Sequence, residues 1–344
     1  MSESTLTAAI DRVAAGEDLS ADEAAAVLAV IMDGGASEVQ TAAFLIALRT
    51  KGETVAEIAG LARTMRAFAL PVDVDGVLVD TAGTGGGRPT FNVSTTAALV
   101  AAGAGCRMAK HGNRSATSQC GSADVLEALG AAIDLPPAAV ATCIEEIGFG
   151  FMFAPLHHQA TRHVIPVRKE LAVRTIFNFL GPLTNPAGAR RQVIGVSDGR
   201  YLETLAAALR ELGTESALVV SSADGLDEFS ASGATRGVEL RDGQVERSEV
   251  TPEQVGLDVA ADGAVGAGTP AQNAAVLRGV LGGDPGTERS LTVLNAAAAI
   301  YVGGGVGSLA DGVRRAEESI DSRAAQSVHE RFVEGSCKLA SAAA

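Results

Sequence analysis

Residues 79–130 read VDTAGTGGGRPTFNVSTTAALVAAGAGCRMAKHGNRSATSQCGSADVLEALG, and this stretch decides the fold. A short apolar run reaches Asp80, a glycine-rich turn follows at residues 84–87, and Asn92 opens an alanine-rich helix. Glycines let a backbone approach a ligand closely, and the free N–H groups at a helix start attract anions. The stretch therefore predicts a phosphate-binding loop between a strand and a helix.

A basic cluster, KHGNR at residues 110–114, follows the next short strand. In open α/β sheets, ligands bind at the carboxyl ends of the strands. We therefore expect two phosphate-binding loops at the ends of neighbouring strands. The cations near this site, Arg107, Lys110 and Arg114, would collect a phosphorylated substrate against an acidic background.

The common phosphate motifs do not match. A P-loop needs Lys-Ser or Lys-Thr after its last glycine, and Arg88-Pro89 stands there instead. A dinucleotide fingerprint counted from Gly83 would need glycine where Arg88 stands. For the glycines alone, an ordinary strand-to-helix turn stays an alternative. The Asn92 helix start and the KHGNR loop together argue against it.

Composition excludes several classes of protein. The chain has 344 residues and a net charge of −14, which argues against nucleic-acid binding. No apolar stretch is long enough to suggest a membrane span, so we expect no membrane association. The cysteines are scattered without metal-ligand spacing, which suits a reducing cytoplasm: Cys106, Cys120, Cys143 and Cys337.

The first 70 residues read as helices. Ser20, Ser37 and Thr54 each precede a Glu or Gln by three residues, which is the spacing of a capping box. Beyond Pro71, short apolar runs alternate with alanine-rich helical segments. This alternation predicts an α/β fold with a mainly parallel sheet flanked by helices. The candidate strands are Val77–Asp80, Cys106–Ala109, Gly150–Phe153, Gln192–Val196 and Ser216–Ser221.

Five motifs in order and spacing resemble anthranilate phosphoribosyltransferase, an enzyme family of tryptophan biosynthesis: GTGG…FNVST, KHGNR, GSADVLEALG, RTIFNFLGPLTNPA and DGLDE. The resemblance covers nearly the whole chain. It implies a nucleoside phosphorylase/phosphoribosyltransferase-like fold. A small helical domain (1–70, rejoined by about 161–186) would form a homodimer interface, and residues 71–160 and 187–344 would form the α/β domain.

The implied reaction, a glycosyl transfer, moves the phosphoribosyl group of phosphoribosyl pyrophosphate to the amine of anthranilate. By resemblance, the residues that bind phosphoribosyl pyrophosphate are Gly83, Thr84, Gly85, Gly86, Asn92, Ser94, Thr95, Lys110 and Ser122. Those that bind anthranilate are Gly83, His111, Asn113, Ala154, Pro155, His158 and Arg168, with His111 and Asn113 orienting the amine. Ser94, Asp227 and Glu228 would hold Mg²⁺, with two ions expected per subunit.

No residue stands out as an obligate general base, because an aniline nitrogen is already unprotonated at neutral pH. We expect His111 to be at most a minor proton acceptor. His157, His158 and His163 allow a metal cluster as an alternative, but neutral imidazoles beside an aromatic acid are favoured. Water exclusion predicts that the two domains approach each other when both substrates bind.

The chain departs from the family pattern at three places. Gly87 stands where the glycine loop usually ends in aspartate, so we expect a shifted Mg²⁺ optimum without loss of activity. Gln159 replaces the usual proline, and Ala172 the usual glycine, both near the anthranilate side. These two replacements bear on the affinity for anthranilate and on the tolerance of substituted anthranilates, which the sequence does not determine.

Two alternatives belong to other classes. A pyrimidine nucleoside phosphorylase would show Lys-His-Ser rather than KHGNR and would lack TIFNFLGPLTNPA. A non-catalytic, nucleic-acid-binding relative would carry a basic groove and a degraded anthranilate wall. This chain is acidic and keeps Asn113, Arg168 and Arg174.

Overall fold

The computed structural model describes residues 3–115, 119–261, 263 and 265–343. Its N-terminal part is a bundle of four helices: α1 (Glu3–Ala14), α2 (Ala21–Met32), α3 (Glu38–Lys51) and α4 (Val55–Ala67). The three predicted capping boxes are confirmed at Ser20, Ser37 and Thr54, where each hydroxyl accepts from a backbone N–H three residues on. Local sequence thus sets where α2, α3 and α4 begin.

A seven-stranded sheet forms the centre of the rest of the chain, in the order β3-β2-β1-β4-β5-β6-β7. The first five strands are parallel, which confirms the predicted fold class. They are β1 (Val79–Gly83), β2 (Met108–Gly112), β3 (Phe149–Phe153), β4 (Arg191–Gly195) and β5 (Ser216–Ser222).

The predicted bounds of the first two strands were wrong by two or more residues. Val77 is 47 % exposed, and pairing with β2 and β4 begins only at Val79. At its other end, β2 runs on to Gly112 because His111 and Gly112 pair with Met152 and Phe153 of β3. Lys110 and His111 are therefore strand residues, held by the sheet, and not members of a free loop.

An antiparallel hairpin at the edge of the sheet was missed. It consists of β6 (Thr235–Arg241) and β7 (Gln244–Val250). The turn between them is Asp242-Gly243, and both residues have positive φ, 51° and 78°. Asp-Gly between alternating strands is the sequence signal of such a two-residue turn. That signal was present and could have identified the hairpin.

Helices cover both faces of the sheet. In chain order they are α5 (Val93–Gly103), α6 (Ser122–Ala128), α7 (Pro137–Ile147), α8 (Ala154–His157), α9 (Ile165–Leu171), α10 (Phe177–Leu183), α11 (Leu202–Glu211), α12 (Pro270–Leu281), α13 (Thr287–Val302), α14 (Leu309–Asp321) and α15 (Ala324–Ala343). Within the described residues, no helix combines the length and apolar character needed to cross a bilayer.

Two hydrophobic cores lie on opposite faces of the sheet. On β5, Ala217 and Val219 belong to one core, whereas Leu218 and Val220 belong to the other, because side chains alternate along a strand. The first core also contains the bundle helices α1–α4 and the residues of α9–α11. The segment 161–186 thus packs with the bundle, but the same core continues onto the sheet. The division into two domains stays a prediction.

Candidate active site

The candidate site lies at the carboxyl ends of the parallel strands. The glycine loop (residues 84–87) follows β1, the KHGNR cluster ends β2, and Asp227-Glu228 follows β5. Since β1 pairs with both β2 and β4, and β4 pairs with β5, these ends are neighbours. The topology therefore brings together segments that are more than a hundred residues apart, as the strand-end rule predicts.

Glycine is required in the glycine loop and at the ends of β1 and β4, for two different reasons. Gly85 and Gly86 have φ of 71° and 81°, a conformation that side chains disfavour. A Cβ on Gly83 would lie 2.5 Å from Asp227 Oδ2, and one on Gly195 would lie 1.5 Å from the Asp227 carbonyl oxygen. These two strands must therefore end in glycine, because a side chain at either end would prevent the Asp227 loop from packing against them.

The glycine loop is held down by hydrogen bonds within the protein. The Thr84 N–H donates to the Gly195 carbonyl at 2.8 Å, and the Gly85 N–H donates to Asp227 Oδ2 at 2.9 Å. Two backbone donors expected to bind phosphate are thus engaged in this conformation. Phosphate binding through them requires the loop to move.

The start of α5 provides a second set of donors. The Asn92 side chain does not cap this helix. Instead its Nδ2 donates to the Cys120 carbonyl at 3.2 Å, and its Oδ1 accepts from Asn273 Nδ2 at 2.9 Å. The first N–H groups of α5 therefore receive no cap from Asn92, which suits a helix terminus that binds an anion. Ser94 lies in this first turn, and Thr95 is fully buried.

Lys110 lies under the start of α5. Its side chain is only 1 % exposed, and Nζ donates to the Thr81 carbonyl at 2.7 Å and to Ser94 Oγ at 3.3 Å. Burial lowers the pKa of Lys110 to about 8, while the charges of Asp80 and Glu228 act in the opposite direction. The ammonium is thus poised beside the helix terminus where a phosphate would bind.

The other two predicted cations do not join it. Arg107 precedes β2, at the amino-terminal end of that strand and away from the site, and its guanidinium donates to the Asp75 carbonyl. Arg114 pairs with Asp124 at 3.1 Å and with Glu127. The expected cluster of three cations was therefore wrong. Of the three, only Lys110 lies beside the helix terminus.

Asp227 and Glu228 form a partly buried acidic pair. Burial and the neighbouring Asp227 charge raise the pKa of Glu228 to about 8, and burial raises the pKa of Asp227. Thr90 Oγ1 donates to Glu228 Oε2 at 3.3 Å. Two adjacent carboxylates whose burial disfavours their charge are a donor set for a hard divalent cation. Such a cation would restore their ionised form.

A set of neutral imidazoles lies beside the KHGNR cluster. His111 and His158 have ring centroids 5.0 Å apart, and His111 Nδ1 lies 3.2 Å from the Gly181 carbonyl oxygen. Burial lowers the pKa of both, to about 4 for His158. Ala154 and Pro155 begin α8 next to His158. His163 lies elsewhere, against Gly34 of the bundle.

Three further predicted residues surround this region. Arg168 lies on α9, where its guanidinium carbon is 5.5 Å from the centre of the Phe177 ring and burial lowers its pKa. Asn113 is exposed at the end of β2. Ser122 begins α6, and its Cβ would lie 3.0 Å from a Cβ on Gly112.

Sequence reasoning missed the buried residues that hold these loops. The Asp80 carboxylate accepts from the His111 N–H at 3.2 Å and from Asn185 Nδ2 at 2.7 Å. Asn185 Nδ2 also donates to the Ala109 carbonyl at 2.8 Å. The LTNPA part of the signature thus fixes the end of β2. An aspartate at the end of an apolar strand was the available signal.

The chain matches two family descriptions in tandem. Residues 7–69 match "Glycosyl transferase family, helical bundle domain", and residues 75–326 match "Glycosyl transferase family, a/b domain". It is 56 % identical over 338 residues to the anthranilate phosphoribosyltransferase of Rubrobacter xylanophilus, covering 97 % of this chain and 98 % of that one. This chain belongs to the anthranilate phosphoribosyltransferase family. The resemblance inferred from the motifs is confirmed.

Other members of the anthranilate phosphoribosyltransferase family agree. The enzyme of Symbiobacterium thermophilum is 51 % identical and covers 97 % of this chain and 98 % of its own length. The Thermus thermophilus structure superposes with a TM-score of 0.90 at 46 % identity, covering 95 % of this chain and 98 % of that one. The Saccharomyces cerevisiae enzyme in complex with PRPP and Mg has a TM-score of 0.89 at 28 % identity, covering 98 % and 99 %. Neither alternative function is favoured by these relatives.

Proposed function

We propose that this chain is an anthranilate phosphoribosyltransferase, which converts anthranilate and phosphoribosyl pyrophosphate into N-(5-phosphoribosyl)anthranilate and pyrophosphate. This is the second step of tryptophan biosynthesis. The observation that carries the proposal is one juxtaposition at the strand ends. The glycine loop, the start of α5, buried Lys110 and the Asp227-Glu228 pair meet beside a wall of neutral imidazoles.

Phosphoribosyl pyrophosphate binds in this proposal between the glycine loop and α5. The residues that hold its phosphates are Gly83–Gly86, Asn92, Ser94, Thr95, Lys110 and Ser122. The contact of Lys110 Nζ with Ser94 Oγ supports this assignment, because it puts a positive charge at a helix start that already favours anions. Gly85 must exchange its bond to Asp227 for one to phosphate.

The same carboxylates fit Mg²⁺. Ser94, Asp227 and Glu228 would hold it, and we propose two ions per subunit. In the described residues no cluster of three His, Cys, Asp or Glu side chains could hold a metal. Mg²⁺ keeps waters and substrate phosphates as ligands, so few protein oxygens suffice. When bound, Mg²⁺ supplies positive charge to the oxygens of the departing pyrophosphate.

Anthranilate binds next to His111 and Asn113, which orient its amine. Its carboxylate pairs with Arg168, whose planar guanidinium suits a planar anion. Burial lowers the pKa of Arg168, and an anionic ligand would offset this cost of burying its charge, which supports a carboxylate there. Gly83, Ala154, Pro155 and His158 form the rest of the wall.

The reaction exchanges one bond for another at C1 of the ribose. The amine lone pair forms the N–C1 bond, the C1–O bond breaks with its electrons leaving on pyrophosphate, and the nitrogen releases one proton. Because an aniline lone pair is already free, His111 needs to be only a minor proton acceptor. Positioning and electrostatic support of the leaving group then provide most of the acceleration.

Water exclusion and assembly complete the proposal. The two domains close on the bound substrates, since an open cleft would hydrolyse the sugar pyrophosphate. The chain forms a homodimer through the helical domain and works in the cytoplasm. Val39 on α3 is 79 % exposed and Ile165 on α9 is 49 % exposed, and such apolar side chains suit a subunit contact.

The test is the disappearance of anthranilate fluorescence with phosphoribosyl pyrophosphate and Mg²⁺. Consumption should require all three components. Arg168→Ala should raise the KM for anthranilate by about a hundredfold, since it removes a charged, bidentate contact. Lys169→Ala, an exposed neighbour on the same helix, is the matched control and should behave as the wild type. No consumption by folded protein would reject the proposal.

A further inference from the structure

Arg174 is joined to the glycine loop by a relay of two hydrogen bonds. Its Nη1 donates to Ser197 Oγ at 2.6 Å, and Ser197 Oγ donates to the Gly85 carbonyl at 3.0 Å. Arg174 lies between α9 and α10, whereas Ser197 follows β4 and Gly85 follows β1. Three separate parts of the chain thus meet at one peptide group.

The guanidinium of Arg174 also lies directly on the loop. A Cβ on Gly86 would lie 3.0 Å from Arg174 Nη1, so the guanidinium would have to shift to admit a side chain there. The Arg174 guanidinium carbon is 5.9 Å from the centre of the Phe179 ring, and its Nη2 is buried without a hydrogen-bond partner in the described structure. Packing therefore confines the Arg174 guanidinium, and its hydrogen bond to Ser197 sets the guanidinium's orientation.

The relay from Arg174 through Ser197 fixes the direction of one backbone donor of the glycine loop, the N–H of Gly86. The carbonyl of Gly85 and the N–H of Gly86 belong to one planar trans peptide and point in opposite directions. A carbonyl held by Ser197 therefore fixes the direction of the Gly86 N–H. The other peptide group of Gly85 is tied to Asp227 Oδ2 at 2.9 Å, so the relay also reaches the acidic pair.

We propose that Arg174 is a positioning residue for phosphoribosyl pyrophosphate, acting through Ser197 on the peptide group between Gly85 and Gly86. This inference rests on the proposed function and adds to it a residue that was not among those expected to bind phosphoribosyl pyrophosphate. Arg174 needs no contact with substrate in this role. It connects the segment that packs on the helical bundle with the loop that binds phosphate.

The test compares Arg174→Ala, Ser197→Ala and the double variant. Each single change should raise the KM for phosphoribosyl pyrophosphate by about tenfold, the size expected for a lost hydrogen bond to a charged group, and leave the KM for anthranilate unchanged. The double variant should match the single ones, because both remove the same relay. Arg174→Lys should recover part of the loss, since its ammonium retains one donor for Ser197.

The control is Arg162→Ala, an exposed arginine in the same segment, which should match the wild type. Additive effects of the two changes, or a wild-type KM in Ser197→Ala, would overturn the relay. Ser197→Ala is a small change, so the test survives if Arg174→Ala fails to fold. Calorimetric titration with phosphoribosyl pyrophosphate and Mg²⁺, without anthranilate, should show the same tenfold weakening. That readout separates failure of the relay from failure of the proposed transfer.

Discussion

The side-chain amide of Asn185 donates to the buried carboxylate of Asp80 across 2.7 Å, although the two residues are 105 positions apart in the chain. Asp80 in turn accepts from the backbone N–H of His111. The carboxylate therefore ties the TNPA segment to the end of β2, where the substrate wall begins. Burial raises the pKa of Asp80, so its partners are what compensate its charge.

Asn185→Ala should lower the free energy of unfolding by about 1–3 kcal/mol, because it leaves buried acceptors without their donor. Urea unfolding followed by circular dichroism measures the change. Thr142→Ala is the control, since that hydroxyl donates to the Ala138 carbonyl of its own helix. Its effect should stay within about 0.5 kcal/mol. Equal stability of Asn185→Ala and wild type would remove Asn185 from this role.

Gly195→Ala should sharply reduce kcat/KM, because the added Cβ would lie 1.5 Å from the Asp227 carbonyl oxygen. The Asp227 loop would have to move off the sheet, at a cost of about 1–3 kcal/mol in stability. Gly307→Ala has no atom within 4 Å of its new Cβ and is the matched control. Steady-state kinetics of both variants decide the point. Full activity in Gly195→Ala would contradict the tight packing of the two loops.

Gly87→Asp should shift the Mg²⁺ dependence of the reaction, since it adds a carboxylate beside the acidic pair. The new Cβ would lie 2.9 Å from Asp227 Oδ1 and 2.9 Å from the Gly225 carbonyl oxygen, so the loop must also lift. Gly87→Asn has nearly the same shape without the charge and isolates the steric part. A Mg²⁺ titration is the measurement. Identical profiles for wild type and Gly87→Asp would refute the expectation.

His111→Ala should keep turnover within about tenfold of the wild type, because a positioned general base contributes about 10²–10⁴-fold and this reaction does not require one. The ring also contacts the Gly181 carbonyl and His158, so the KM for anthranilate should rise. Single-turnover kinetics at saturating substrates separate the two effects. A loss of several orders of magnitude in the chemical step would make His111 the base.

His158 should make the protein less stable in mild acid. Burial lowers the pKa of His158 from 6.5 to about 4, so between these values the unfolded chain binds a proton that the folded chain does not. The stability contribution is therefore present above about pH 6.5 and is lost as the pH falls toward 4. His158→Gln should reduce this slope by up to about 1.4 kcal/mol per pH unit. Urea unfolding over this pH range measures it, and parallel curves would contradict it.

Much of the fold could be predicted, because its signals are local. A capping box spans four residues, so the helix starts at Ser20, Ser37 and Thr54 can be predicted without knowledge of the rest of the chain. The first five strands were found for a similar reason. Each is a short buried run, and the parallel arrangement follows from the helices between them. The errors came at the bounds of the first two strands, which pairing with neighbouring strands decides, and at the β6–β7 hairpin.

The candidate site was harder to predict, because charge alone does not say which partners a side chain meets. Arg114 and Lys110 are four residues apart and look equivalent in sequence. The first is taken up by Asp124 and Glu127, whereas the second is buried under α5. Arg114 is already paired with carboxylates, whereas Lys110 donates to a carbonyl and a hydroxyl oxygen, and this difference depends on the packing of distant segments.

The sequence alone determined the family, the fold class, the helix starts and the need for bare glycines at the loop after β1. These depend on contacts within a few residues or on long signature motifs. Only the tertiary structure decided that Asn185 supports Asp80, that Arg174 reaches Gly85 through Ser197, and that Gly195 leaves room for Asp227. Such contacts join strand ends whose adjacency arises from the order of the sheet, which no local pattern encodes.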